Sequence, residues 1–277
     1  MARQINWPLL FKVVFLSLFL VFTVFPLYWI FITSLKPSQD MFTFPIRYWP
    51  KTITLDNYIN IFKISKFNIY ITNSLILSIV AGFCSLIIAT LSGYVLARFE
   101  FKGKTQVIMA FFITQMIPIF IGLAPLYLLM SKLELLNKLP SLMLMYTVMM
   151  VPFCTVIMKG FFERIPPSLE EAAMIDGCSR MAALFKVIIP VMLPGIAATF
   201  IFAFVQCWNE LFLAIMFIDK EEAKTIPVAM NSFITKFDID WGSMSAATVL
   251  SVIPTLILFA FAQKYIVEGM TQGSVKG

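Results

Sequence analysis

Residues 168–177 read SLEEAAMIDG, a polar stretch set between two long uncharged apolar runs. Pro166 and Pro167 come just before it and stop any helix from running in. Ser168 and Glu171, three residues apart, form the S-x-x-E pattern of a capping box, so Ser168 is predicted as the N-cap. Glu170 and Glu171 put negative charge in the first turn, where the helix dipole favours it. Ala172 and Ala173 favour helix and leave a slim face. Gly177 is suited to the left-handed conformation that ends a helix. A second amphipathic helix is predicted from about Ser179 to Ile189, reaching Pro190, with Met181, Leu184, Phe185 and Ile188 at helical spacing. Two short helices therefore meet at Gly177. The first is marginal alone, because isolated helices below about 12–15 residues are unstable in water. It is either an elbow packed on its own chain or a knob that docks into a partner.

What lies on either side decides the class of protein. Hydrophobic residues make up 60% of the chain and charged residues 13%, against about 45–50% and about 25% in soluble domains. The stretches 13–35, 67–97, 105–131, 139–158, 187–209 and 241–263 contain no Asp, Glu, Lys or Arg. Each matches the length of about 20 apolar residues that crosses a hydrocarbon core. Open strands are excluded there, because lipid leaves edge amides unpaired. The expectation is an all-α membrane protein with six transmembrane helices and both termini on one side. The first run follows Arg3 and Lys12 but is too long for a secretory signal, and FITSLKPSQD offers no small-residue cleavage site. Pro26, Pro118, Pro125, Pro152, Pro194 and Pro254 fall inside the runs and are expected to kink them. Gly82, Ala89 and Gly93 in the second run allow close helix approach, within the chain or across a dimer seam.

The connections narrow the function. None of the gaps, the largest being 34–66, 159–186 and 219–240, could hold a nucleotide-binding domain of about 100 residues. No G-x-x-x-x-G-K-[ST] is present, and FKGKT lacks the spaced glycine. The chain has no histidine, which excludes imidazole catalysis and histidine metal sites. Cys84, Cys154, Cys178 and Cys207 are scattered, with no C-x-x-C. The net charge of +6 resides in short connections rather than in a basic cluster with interleaved aromatics, which argues against nucleic acid. Eleven Lys/Arg fall on the side of the N-terminus and ten on the other, so charge alone does not fix orientation. The 34–66 gap, rich in proline and aromatics, reads as an ordered cap with Tyr48 and Trp49 at the membrane interface.

Polar residues within the runs are the candidates for lining a passage: Asn73, Gln115, Gln206, Trp208, Asn209 and Glu210. An ionisable group at membrane depth faces a cavity or a partner, which singles out Glu210. The alternative for Glu210 is an interfacial carboxylate, and for Trp208 a space-filling ring.

At EEAAMIDGCSRMAALFKVIIPVMLPG the sequence resembles the E-A-A…G loop of ABC-type importer permeases, most of all the maltose-type sugar branch. The likeness continues through TSLKP, NSLILSIV, GYVLARFEFKGK, QMIPIFIGLAPLYLLM, FFERIPPSLEEAA, CWNELFLAI and the tail GMTQGSVKG, in that order. The resemblance implies the type I importer permease fold with a cytoplasmic coupling helix, in a bacterial inner or plasma membrane with both termini cytoplasmic. It implies a division into 1–66 (first helix and extracytoplasmic connector), 67–267 (five-helix core with the motif loop at 163–194) and 268–277 (cytoplasmic tail). Implied partners are a second permease subunit, two ATP-binding subunits and an extracytoplasmic solute-binding protein. No cofactor is expected on this chain, ATP and Mg belonging to the ATPase. Carried over by position, Ser168, Glu170, Glu171, Ala172, Ala173, Asp176 and Gly177 form the coupling element. Thr271, Gln272, Gly273 and Lys276 match the tail segment that contacts the ATPases, and 219–240 matches a loop that probes the binding protein. Cys178 departs from the family's usual alanine.

The implied function is uptake of a sugar by alternating access. A same-superfamily permease for polyamine or glycerol phosphate is the nearest alternative. An ion-driven secondary transporter would show inverted repeats and paired mid-membrane acids, and an embedded enzyme would show a nucleophile or metal-ligand set. The sequence shows neither.

Overall fold

The computed structural model describes residues 7–63, 66–234 and 239–271. Among them regular structure is helical, apart from an isolated bridge between Ile234 and Ile239. Four helices are long and apolar enough to cross a membrane: α1 (Trp7–Ser34), α3 (Phe67–Arg98), α6 (Leu139–Arg164) and α13 (Trp241–Thr271). Between them lie α2 (Asp56–Lys63), α4 (Lys104–Met116), α5 (Ile119–Lys132), α7 (Pro167–Ile175), α8 (Arg180–Ala183), α9 (Ile189–Val191), α10 (Leu193–Trp208), α11 (Phe212–Phe217) and α12 (Ile226–Asn231).

Two of the six predicted spans are broken. α4 and α5 meet at 95°, and the helical stretch Arg180–Val191 meets α10 at 78°. Counting each bent pair as one span gives six. Pro118 explains the first break: it disfavours helix at the residue before it, and Ile117 is extended at φ −74°, ψ 118°. Pro26, Pro125, Pro152 and Pro254, in contrast, sit inside continuous helices.

The second predicted short helix does not stop at Pro190. It starts at Arg180, capped by the Ser179 hydroxyl, which accepts the Ala182 N–H at 3.3 Å. It widens into a π turn over Leu184–Ile188 and continues through Pro190 to Val191. The wide turn routes the Ile189 N–H to the Leu184 carbonyl, so the chain accommodates a proline that has no N–H to give.

The residues divide into two compact units, Met1–Asn68 with Ala229–Ile253, and Ile69–Val228 with Pro254–Gly277. The stretch 229–253 thus groups with the first unit. In that unit the Asn57 amide donates to the carbonyls of Ser34 and Lys36, both at 2.9 Å. Gly242 lies so close to Asn57 that a Cβ there would stand 2.4 Å from its Oδ1. Lys36 is buried over the Trp29 ring, 4.4 Å from its centroid, and burial lowers its pKa. Tyr48 and Trp49 are exposed, consistent with an interfacial position.

The second unit is organised on α3. Its 32 residues reach about 48 Å at 1.5 Å per residue, longer than a hydrocarbon core of about 30 Å. Both ends therefore project, and both carry polar anchors. Two apolar clusters flank it. One joins Leu77 and Ala81 to Leu142, Tyr146, Leu213 and Phe217, and the other joins Leu86 and Ala89 to Met158, Phe162, Leu184 and Ile188.

At the first end the 219–226 segment is held by side chains. Asn137 Oδ1 accepts the N–H groups of Asp219 and Lys220 at 2.6 and 2.9 Å. The Asn73 amide donates to the carbonyls of Glu222 and Lys224, both at 2.9 Å, and the Ser74 hydroxyl accepts the Ile226 N–H at 2.9 Å. Asn73→Ala leaves two carbonyls without their donor, a loss of about 1–3 kcal/mol. Amide exchange in 219–226 is expected to speed up by about ten-fold or more, with the spans unaffected. Unchanged exchange there would show that Asn73 is dispensable to the loop.

Candidate functional site

Two places in the second unit gather the predicted residues: the corner built on α7, and a cavity beside α10.

At the corner, the predicted capping box is absent. The N-cap of α7 is Pro166, no side chain caps it, and Ser168 sits in the first turn, exposed. Pro167 occupies the first helical position, where its fixed φ is preorganised for helix and its missing N–H is not needed. That starts the helix two residues too early for Ser168 to cap it. The C-terminus follows the sequence reading. Gly177 has φ +88°, its N–H donates to the Met174 carbonyl at 3.1 Å, and the Cys178 N–H donates to the Ala173 carbonyl at 3.0 Å. These two bonds are the Schellman closure.

The two adjacent glutamates have opposite environments. Glu171, Ala172 and Asp176 are exposed, whereas Ala173 is buried and Glu170 is only 6% exposed. The Tyr94 hydroxyl donates to Glu170 Oε1. Arg98 Nε lies 3.3 Å from Glu170 Oε2, and Arg180 Nε lies 3.7 Å from Oε1. Arg98 also donates from Nη2 to the Ile165 carbonyl at 2.9 Å, fixing the chain where it enters α7. Arg180 lies over the Phe99 ring at 5.0 Å, and Tyr94 packs edge-on against Phe162 at 5.5 Å. A buried carboxylate is tolerated because it is paired on both sides. The sequence reading missed Tyr94, Arg98 and Arg180. The available signal was a hydroxyl and a guanidinium at i and i+4 on the last turn of an apolar helix. The outward side of α7 is apolar at its tip, Ile175 being 86% exposed.

The cavity measures about 300 Å³ and is lined by Ile119, Tyr146, Met149, Met150, Gln206, Cys207, Asn209, Glu210, Leu211 and Phe212. It brings together three predicted pathway residues, Gln206, Asn209 and Glu210. Gln206 and Asn209 are exposed, and the Asn209 amide donates back to the Val205 carbonyl at 2.8 Å. Glu210 is committed within the chain. Its Oε2 accepts the Tyr146 hydroxyl at 2.6 Å and the Ala214 N–H at 3.2 Å, and its Oε1 accepts the Leu213 N–H at 2.9 Å. It thereby caps α11 and pins it to α6. Tyr146, buried at the back of this cavity, was missed in the sequence, where nothing links it to a residue 64 positions away.

The other predicted pathway residues lie elsewhere. Trp208 is buried and stacks on Phe204 at 5.6 Å, the space-filling alternative. Asn73 serves the 219–226 segment. Gln115 is exposed near the end of α4 and does not line the cavity. Gln272, Gly273 and Lys276 lie outside the described residues, and Thr271 is the last residue of α13.

Comparison with known proteins gives a consistent result. Residues 85–272 match the family model described as binding-protein-dependent transport system inner membrane component. The chain is 38% identical over 254 residues to the diacetylchitobiose uptake system permease protein DasC of Streptomyces coelicolor, covering 92% of each chain. It is 37% identical over 261 residues to the sulfoquinovosyl glycerol transport system permease protein SmoH of Agrobacterium fabrum, covering 94% of this chain and 92% of that one. Among solved structures it is similar to a chain of a bacterial ABC transporter involved in the import of the acidic polysaccharide alginate. The TM-score is 0.81 at 22% identity, over 96% of this chain and 99% of that one, a likeness of fold.

Proposed function

This chain belongs to the family of binding-protein-dependent transport system inner membrane components, and we propose that it is the permease subunit of an ATP-driven importer of sugars, of oligosaccharide size. It passes its solute by alternating access, beside a second permease subunit, on two separate ATP-binding subunits, and receives it from an extracytoplasmic binding protein. In this reading α7 is the coupling helix, its exposed side, from Ser168 and Glu171 to Ala172, Ile175 and Asp176, enters a groove of the ATPase, and both termini are cytoplasmic. The tail from Thr271 to Lys276 contacts the same subunits. The uptake systems named for the two relatives, diacetylchitobiose and sulfoquinovosyl glycerol, support the sugar class.

The observation that carries the sugar reading over its alternatives is the chemistry of the cavity. Glu210 is the one acidic residue among the described residues that line the cavity and its oxygens already cap α11, so the cavity lacks the second carboxylate that the separate ammonium groups of a polyamine would require. Among the described residues that line the cavity none is Lys or Arg, as a glycerol phosphate would require. What remains is amides, thioethers and aromatic edges, which suit a ligand rich in hydroxyl groups.

The test is reconstitution of the four-part complex with its binding protein in liposomes. ATP-dependent accumulation of radiolabelled diacetylchitobiose or trehalose is expected, with none of putrescine or glycerol 3-phosphate. Accumulation driven by an ion gradient in the absence of ATP would overturn the reading. In the same assay Asn209→Ala is expected to lower uptake by about ten-fold, the value of one hydrogen bond to a neutral ligand. Gln115→Ala is expected to lower it less, and neither variant should lose its partners on purification. Parent-level uptake by both would remove these residues from the pathway.

A further inference from the structure

We propose that Glu170 is a positioning residue that bolts the coupling helix to α3 and so makes α3 the rod along which ATPase movement crosses the membrane. The inference rests on the reading of α7 as the coupling helix.

Consider how α7 is joined to the rest of its unit. Its covalent connections are a short extended link, Ile165 and Pro166, and the left-handed Gly177. Both are places where a chain turns sharply, and neither transmits a push as a continuous helix would. The non-covalent connections are the packing of α7, through the buried Ala173, on α8 and on the π turn Leu184–Ile188, and the contacts of Glu170, which alone reach α3 by charge. An apolar side chain would have sufficed for packing. Instead a carboxylate is buried and held by three groups from two elements, Tyr94 and Arg98 on α3 and Arg180 on α8. A packed apolar side chain can slide, whereas breaking one partner from a buried ion pair is strongly opposed, so the joint is stiff.

The partner chosen is the helix best suited to carry a load. α1, α6 and α13 each contain a proline, and the remaining spans are bent pairs. α3 runs for 32 residues without one. Its last turn holds Glu170. Its first turns hold the 219–226 segment through Asn73 and Ser74. The helix therefore ties the corner at one end to the segment at the other end that follows α11, the helix capped by Glu210 at the cavity wall. A displacement of α7 is delivered to that segment with little loss, provided that Glu170 holds.

The test uses a chain with Cys84, Cys154, Cys178 and Cys207 changed to Ala and Gln206 changed to Cys as a reporter in the cavity wall. It is assembled with its partner permease, ATPase subunits and binding protein in liposomes, and the rate of maleimide labelling is read with and without ATP and vanadate. In this parent the nucleotide is expected to change the rate by about ten-fold, within the range of allosteric couplings. Adding Glu170→Gln, which keeps size and removes charge, is expected to reduce the change to less than about two-fold, while the ATPase subunits still co-purify and still turn over ATP. Tyr94→Phe keeps the ring packing, removes one hydroxyl and is expected to give an intermediate response. If the Glu170→Gln chain fails to reach the membrane, Tyr94→Phe decides. A parent-sized response in the variants overturns the proposal, as does loss of the ATPase subunits from Glu170→Gln, which would make Glu170 part of the docking surface. No nucleotide response in the parent itself would instead overturn the ATP-driven reading on which this one stands.

Discussion

Gly177→Pro is expected to abolish ATP-driven uptake while leaving the chain in the membrane at parent levels. Gly177 has φ +88°, and proline is confined near −65°. The substitution also removes the N–H that donates to Met174 and displaces Cys178 from Ala173, so both bonds that close α7 are lost. Crowding plays no part, since a Cβ at this position meets nothing within 4 Å. That allows the backbone contribution to be isolated in a series. Gly177→Asn should be close to neutral, because asparagine tolerates the left-handed region. Gly177→Ala should cost about 1–2 kcal/mol and reduce uptake only in part. Uptake divided by the amount of chain in the membrane is the quantity to compare. If the proline variant takes up solute at the parent rate, α7 is not the element through which force enters.

Gly177 was legible because the left-handed requirement is a property of one residue. The same is true of the apolar runs, which located the four continuous spans through composition alone. Direction is different. The run 105–131 is uniformly apolar, and apolarity says nothing about where a helix turns. Of the six prolines expected to kink the spans, only Pro118 and Pro194 stand beside sharp bends. A proline inside a helix and a proline that ends one carry the same local signal, and packing chooses between them. The misplaced N-cap at Ser168 is a competition of the same kind, won by Pro167. Glu170 and Glu171 show the limit most clearly. They are identical neighbours in sequence, yet one is buried among Tyr94, Arg98 and Arg180 and the other is exposed. Tyr94 and Arg98 are brought to Glu170 by the packing of α3 against α6, and Arg180 by the turn at Gly177, which no local pattern at the two glutamates encodes. Glu210 was singled out for its charge at membrane depth, and the reason for that charge, a cap on α11 shared with Tyr146, again depends on a distant residue.

The packing of α3 on α6 is itself open to a severe test. Gly93→Val is expected to prevent the second unit from folding, measured as loss of monodisperse chain after detergent extraction and a lower unfolding temperature. A Cβ on Gly93 would stand 2.9 Å from the Lys159 nitrogen, 2.9 Å from Met158 Cβ and 3.2 Å from the Met158 carbonyl carbon. These are backbone or backbone-attached atoms, so no rotamer change makes room and the two helices must move apart. Small residues at such crossings are what allow transmembrane helices to gain close packing. Alanine alone should cost about 1–3 kcal/mol by overpacking, and valine adds two further methyl carbons. The separation would also open the Ser92–Thr155 hydrogen bond at 3.1 Å and draw the adjacent Tyr94 away from Glu170. Gly160→Ala on α6 is the matched control. Nothing lies within 4 Å of a Cβ there, so it should be neutral or slightly stabilising, as alanine is in a helix. Truncating Met158 to alanine should not rescue Gly93→Val, because the offending Cβ remains. Rescue by that change, or a Gly93→Val chain that unfolds at the parent temperature, would mean that α3 and α6 are not in backbone contact. The joint at Glu170 would then lose the fixed geometry on which it depends.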